Sequence, residues 1–190
     1  MTQLTIIGTG NMGQAIAAVA ARGGHAVQLL GQSEAATPVT GDIVVLAVPY
    51  GALSTVLRQR GGTLAGKVVV DITNPLNETF DSLTVPADSS ATAEIAAALP
   101  NSRVVKAFNT TLAGTVATGK VGDLPTTVLI AGDDTEAKST LADVISSGGL
   151  KAIDAGGLKR ARELEATGFL QIALAAAAQV SWTGGFGIVP

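Results

Sequence analysis

One stretch near the start constrains this chain more than any other. LTIIGTGNMG carries an apolar run, Leu4 to Ile7, straight into Gly8-x-Gly10-x-x-Gly13, and the small-residue run AIAAVAARGG follows a residue later. That order predicts a buried strand, a tight turn and the start of a helix, the setting in which a glycine-rich turn holds a dinucleotide. Each glycine has its own reason. Gly8 permits the sharp turn, Gly10 lets backbone approach a pyrophosphate, and Gly13 lets the helix pack closely on the strand. Free N–H groups and the positive end of the helix dipole, from about Asn11 onward, favour an anion there.

The rest of the chain repeats the alternation. Strand-like runs fall at about 3–7, 26–30, 43–48, 67–72, 103–107, 126–131 and 150–154, with helical spacers at about 11–22, 51–60, 90–99, 134–146 and 158–180. Gly23-Gly24 and Gly61-Gly62 close the first two helices, and Asp133-Asp134 caps the start of another. Such repetition predicts an α/β fold, a doubly wound parallel sheet of the Rossmann-like NAD(P)-binding kind. Residues 1–190 form a single domain, with 156–190 as a C-terminal helix and tail. Between Gly31 and Asp42 the chain is too short for the usual helix and third strand. DIVVLAVP therefore reads as the strand on the far side of the first one, leaving the adenosine half of the cofactor less covered than usual.

Composition excludes several classes. At 190 residues the chain is long enough to bury about 70% of its unfolded surface. Apolar residues make up 47% and charged residues 14%, which excludes a disordered chain. A net charge of −3 with no dense basic cluster argues against nucleic acid, since Lys159, Arg160 and Arg162 are balanced by Glu163 and Glu165. No cysteine and a single histidine leave no thiol nucleophile and no thiolate or poly-histidine metal site. With no leader-like segment and an apolar run from Phe169 to Ala178 only ten residues long, a cytoplasmic protein outside the membrane is expected. The sequons at Asn77 and Asn109 then count as chance matches.

Specificity between NAD and NADP is read about twenty residues past the glycines. There the second strand ends in Gly31-Gln32-Ser33, and no carboxylate is expected to stand there to repel a 2′-phosphate. No Arg or Lys occurs between Arg22 and Arg58, so the usual cationic clamp is missing as well. Gln32 and Ser33 donate hydrogen bonds and Gly31 leaves room, which favours NADP over NAD. Ligands of open parallel sheets lie beyond the carboxyl ends of the strands. The candidates there are Ala47, Val48, Pro49 and Tyr50, then Asn74 and Pro75, then Phe108, Asn109 and Thr110. As turn residues alone, the asparagines and prolines are ordinary punctuation.

Taken together, these strings resemble the NADPH:deazaflavin oxidoreductases. The chain is also similar to the cytosolic reductase domain of the six-transmembrane metalloreductases. The resemblance rests on IIGTGNMG (Ile6–Gly13), VLAVPY (Val45–Tyr50), DITNPLN (Asp71–Asn77), VVKAFNT (Val104–Thr110), IAGDDTEAK (Ile130–Lys138) and WTGGFGI (Trp182–Ile188). It implies hydride transfer between NADPH and a flavin-type acceptor stacked on the nicotinamide. Thr9, Gly10, Asn11 and Met12 would line the pyrophosphate, and Ala47, Pro49 and Tyr50 would face the ribose and ring. Asn74, Pro75 and Asn109 would border the nicotinamide and acceptor. The chain departs from that family at Gly31-Gln32-Ser33, where Ser or Thr followed by Arg or Lys is usual.

An enzyme acting on alcohols or ketones needs a positioned acid or base. His25 precedes the second strand, at the wrong sheet edge, and is expected to be a surface or packing residue. Lys106, inside VVKAF, is the one buried acid in prospect and is expected to be structural; Tyr50 is the other option. No catalytic residue is therefore assigned. Two redox cofactors held face to face need only positioning. Two alternatives stand beside that reading. One is a redox sensor or partner-binding module without turnover. The other is a small imine or ketone reductase, disfavoured because only about 35 residues follow the last strand. FLQIALAAAAQV is apolar nearly all round, which predicts burial by a second subunit and so a homodimer, with Trp182–Pro190 helping to close a pocket.

Overall fold

The computed structural model describes residues 1–189. Among the described residues nine strands form: β1 (Gln3–Ile7), β2 (Ala26–Leu30), β3 (Ile43–Leu46), β4 (Val68–Asp71), β5 (Arg103–Lys106), β6 (Lys120–Val121), β7 (Leu124–Pro125), β8 (Thr127–Gly132) and β9 (Lys151–Gly156). Six helices accompany them: α1 (Asn11–Arg22), α2 (Leu53–Arg60), α3 (Ala91–Ala98), α4 (Ala113–Thr118), α5 (Thr135–Ser147) and α6 (Ala161–Ala176). Seven strands make one sheet in the order β2-β1-β3-β4-β5-β8-β9, and β6 with β7 makes a small hairpin.

Apolar residues on successive strand positions serve opposite faces. Leu4, Ile6, Ile43, Val45, Val68, Val70 and Val105 pack with Ile16, Val19, Leu141 and Ile145 on one side. Ile7, Val44, Leu46, Val69 and Val104 pack with Leu53, Leu64, Ile95 and Leu99 on the other. Continuous Val/Ile runs are what a sheet covered on both faces requires, because alternate side chains point to opposite layers. Each such side chain contributes about 1.5–3 kcal/mol by leaving water.

The shortened unit after β2 is real. β3 pairs with β1 on the side away from β2. Only a 3₁₀ turn, Gln32–Glu34, stands where a helix and strand usually lie. Gln28 stitches the rest of the segment down, donating to the Pro38 carbonyl at 2.9 Å and accepting from Thr40 N at 3.1 Å.

The sheet is mostly parallel, as expected, with one antiparallel pairing that the sequence reading did not foresee. β8 pairs antiparallel with β5, and β9 runs parallel to β8. A parallel crossover must carry the chain back to the starting edge. The six residues of α4 span only about 9 Å, so the chain turns through the hairpin and re-enters from the edge where β5 ended. α4 and the hairpin were not foreseen, and α6 is shorter than the expected 158–180. Asp134 caps α5 by accepting from Ala137 N, and Gly23 closes α1, both as expected. Among the described residues no helix is long and apolar enough to cross a membrane.

Candidate functional site

Two arrangements occupy the carboxyl edge of β1–β5, and they differ in kind. The first is a cleft of about 450 Å³ between the turns after β1, β2 and β3 and one face of α2. Gly8, Thr9, Gly10, Gly31, Gln32, Ala47, Val48 and Pro49, all site candidates from the sequence, line it. Its size falls within the range of small-molecule sites.

The three glycines divide their work as the spacing predicts. Gly8 sits at φ +123°, and a Cβ there would lie 2.0 Å from the Ala47 carbonyl oxygen. At Gly13 a Cβ would lie 2.1 Å from the Gly8 carbonyl oxygen, so α1 and the turn touch at backbone distance. A Cβ on Gly10 would meet nothing within 4 Å. The crowded glycines fix the turn, and the open one faces space a ligand can fill. Gly10 is also the N-cap of α1, with no side-chain cap and no acidic residue in the first turn. The N–H groups there retain their donors for an anion.

Several side chains of this edge lie elsewhere than expected. Asn11 lines a separate hollow of about 560 Å³ between α1, α4 and the tail, together with Trp182 and Thr183. Met12 packs against the core. Ser33 is exposed on the turn, outside the cleft lining. Phe108 is 1% exposed, and although it adopts φ +62° its ring belongs to the core rather than the cleft. Pro75 is buried, its carbonyl accepting from Thr84 N at 2.7 Å.

Two readings of the β2 end need correction. A carboxylate does stand there: Glu34, one residue past Gly31-Gln32-Ser33, folds back so that Oε2 accepts from Gly31 N at 2.7 Å. A cation is present as well. Arg60, from the end of α2, lines the cleft and donates to the carbonyls of Thr37 and Glu34 at 2.7 and 2.5 Å. Neither was legible from spacing. Glu34 returns through a 3₁₀ turn, and Arg60 arrives from the helix after the next strand. Ala52, Thr55, Val56 and Gln59 reach the cleft by the same route.

The second arrangement is a buried cluster of charges beneath α6. Lys106 Nζ donates to Asp71 Oδ2 at 2.7 Å, to Glu165 Oε1 at 2.9 Å and to the Thr73 carbonyl at 2.6 Å. All three side chains are fully buried. Thr92 Oγ1 donates to Asp71 Oδ2 at 2.8 Å, and Ala91 N donates to Glu165 Oε2 at 3.1 Å. Burial pushes the Glu165 carboxyl above its usual 4.5, against the pull of Lys106. The three ammonium donors are spent, so Lys106 is structural, as its place in the strand suggested.

Asn74 and Asn109 sit beside this cluster and bind each other. Asn74 Nδ2 donates to the Asn109 carbonyl, and Asn109 Nδ2 donates to Asn74 Oδ1, both at 2.9 Å. Asn109 also donates to the Leu164 carbonyl at 2.8 Å, and its buried Oδ1 accepts from no described residue. Helix α6 reaches them through Gly168, where a Cβ would lie 2.4 Å from Asn74 Oδ1.

Neither remaining acid or base candidate is poised for proton transfer. Tyr50 donates to Glu94 Oε2 at 2.7 Å, and burial followed by that bond pushes its hydroxyl up to about 12. His25 Nδ1 accepts from Thr2 N at 3.2 Å, and Nε2 lies 2.9 Å from Ser147 Oγ, at the opposite sheet edge.

A mostly parallel sheet with a glycine turn and an open cleft at its carboxyl edge defines a Rossmann-like, dinucleotide-binding class of protein. Comparisons with known proteins narrow the class. Residues 27–75 match the family described as NADP oxidoreductase, coenzyme F420-dependent. The F420-dependent NADP reductase of Methanocaldococcus jannaschii is 32% identical over 139 residues, covering 70% of this chain and 62% of that protein. Metalloreductase STEAP3 of Rattus norvegicus is 34% identical over 140 residues, covering 73% of this chain and 27% of that protein. A solved structure from Arthrobacter sp. FB24, described as that of a candidate F420-dependent NADP reductase, superposes with a TM-score of 0.81 at 26% identity over 100% of both chains. This chain is thus similar to the F420-dependent NADP oxidoreductases and to the metalloreductases, as its motifs indicated. It spans less than two thirds of the length of either curated relative.

Proposed function

We propose that this chain is an oxidoreductase that transfers a hydride between NADP(H) and a flavin or deazaflavin acceptor, and that it acts by positioning. The observation that carries this reading is the open face of Gly10 beside the uncapped start of α1, at the mouth of a 450 Å³ cleft. The motif match and the similarity to NADP reductases support it. In this reading Gly8 to Gly13 receive the pyrophosphate, and Gly31, Gln32 and Ser33 take the adenosine ribose. Ala47, Val48, Pro49 and Tyr50 face the nicotinamide ribose. The mutually bonded Asn74 and Asn109 border the nicotinamide, with Pro75 and Phe108 shaping that wall from beneath. When bound, nicotinamide and acceptor ring supply the hydride chemistry themselves. What the chain adds is alignment and exclusion of water. That suits an edge where Lys106 and Tyr50 are both engaged in fixed bonds.

The test is oxidation of NADPH, followed by its absorbance, with FMN, FAD or a deazaflavin added in turn. Sustained turnover with one of them is expected. Binding of NADPH without oxidation under every acceptor would make the chain a sensor instead. We further propose a homodimer formed through α6, of which only one face is buried within the chain while Leu170 is 53% exposed. Light scattering should then give twice the 18.9 kDa chain mass, and a monomer would remove that proposal.

A further inference from the structure

We propose that Arg60 is the residue by which this chain distinguishes NADP(H) from NAD(H), its guanidinium reading the 2′-phosphate beside the 3₁₀ turn after β2. The inference rests on the dinucleotide reading of the cleft.

Arg60 is the one charged residue lining that cleft. It is 5% exposed, yet it makes no ion pair with any described carboxylate. A buried cation without a counter-charge is costly, and an anionic ligand removes that cost. Two of its five N–H groups are used on the Thr37 and Glu34 carbonyls. The rest have no described protein acceptor. Those carbonyls fix the guanidinium in one plane, so little freedom remains to be lost when a phosphate docks on the fork. The position is as telling as the charge. The Glu34 carbonyl belongs to the 3₁₀ turn directly after β2, and the end of that strand is where the adenosine ribose hydroxyls are read. The segment from 31 to 42 carries no basic residue, so a cation here has to come from another element.

Glu34, on the same turn, covers a second donor. Its Oε2 sits 2.7 Å from Gly31 N, a backbone donor at the cleft wall, so an oxyanion already stands there. The Glu34 side chain is exposed and held by that single bond. A phosphate can displace it and inherit the donor, with Arg60 supplying the charge that Gly31 lacks.

Calorimetry with 2′-phospho-ADP-ribose and with ADP-ribose tests this without any redox turnover. Native protein should bind the phosphorylated ligand more tightly. In Arg60→Gln that ligand should weaken at least about tenfold while ADP-ribose changes by less than about twofold. Arg60→Lys should fall between, because it keeps the charge and loses the fork. Equal losses for both ligands would show that Arg60 stacks on adenine or only braces the loop, and would overturn the assignment. In Glu34→Gln the phosphorylated ligand should tighten severalfold. If ADP-ribose weakens there instead, Glu34 grips the 2′-hydroxyl and the assignment is again overturned. Binding of both ligands to native protein with no dependence on Arg60 removes this inference alone. Binding of neither removes the dinucleotide reading with it.

Discussion

The cleft at β1–β3 and the charged cluster at β4–β5 share one sheet edge, a few strands apart, yet they are built on opposite principles. The cleft is made of backbone, small side chains and space, with Arg60 its one charge. The cluster places Lys106 between Asp71 and Glu165 and is closed to solvent. An anion site assembled from N–H groups works because little stands in front of them. Buried charges work only when every donor and acceptor is satisfied. The cluster and the Asn74–Asn109 pair pin α6 to the sheet.

The sharpest way to break this contrast is to remove the cluster's cation. Lys106→Met leaves two buried carboxyl groups without their partner and should cost about 3–5 kcal/mol in denaturant unfolding. A loss under about 1 kcal/mol would mean that α6 is held by packing alone. The cleft should respond differently at its two kinds of glycine. Gly8→Ala meets the Ala47 carbonyl oxygen at 2.0 Å from a positive φ and should cost on the order of 2–4 kcal/mol. Gly10→Ala meets nothing, so stability should stay within about 0.5 kcal/mol while NADPH affinity falls about tenfold or more. Equal affinity in wild type and Gly10→Ala would show that no ligand backbone comes close there.

A smaller effect follows from Glu165. Its folded pKa is raised above the usual 4.5 by burial, so the native state holds its proton more tightly than the unfolded chain. That contribution is complete below about 4.5 and is lost as pH rises through the folded value. Glu165→Gln is neutral throughout and should gain stability relative to wild type as pH rises across that window. Melting curves that shift in parallel at every pH would sink this expectation. Least affected should be Tyr50→Phe, which removes the bond to Glu94 at about 1 kcal/mol. With NADPH and the best acceptor its kcat should match wild type. A large drop would make Tyr50 a proton donor after all.

Much of this architecture is written in short-range pattern. Val44 and Val45 face opposite layers because strand side chains alternate, so both covered faces follow from the run itself. Gly8 and Gly13 declare a turn because only glycine tolerates their contacts, and the twelve residues from Gly31 to Asp42 are too few for a helix and a strand. Where the sequence misled, the deciding contact was remote. Phe108 stands among turn residues of the site edge but is drawn into the core. Asn109 gives its side-chain amide N–H groups to Asn74 and Leu164, partners no spacing foretold.

Local sterics and periodicity alone therefore determined the strand–turn–helix opening, the covered sheet and the edge that carries the cleft. The tertiary structure decided the direction of β8, the arrival of Arg60 at the β2 turn and the company Lys106 keeps. Those outcomes depend on how far a six-residue helix reaches and on which distant side chains meet once the sheet has closed over them. No window of neighbouring residues contains that information.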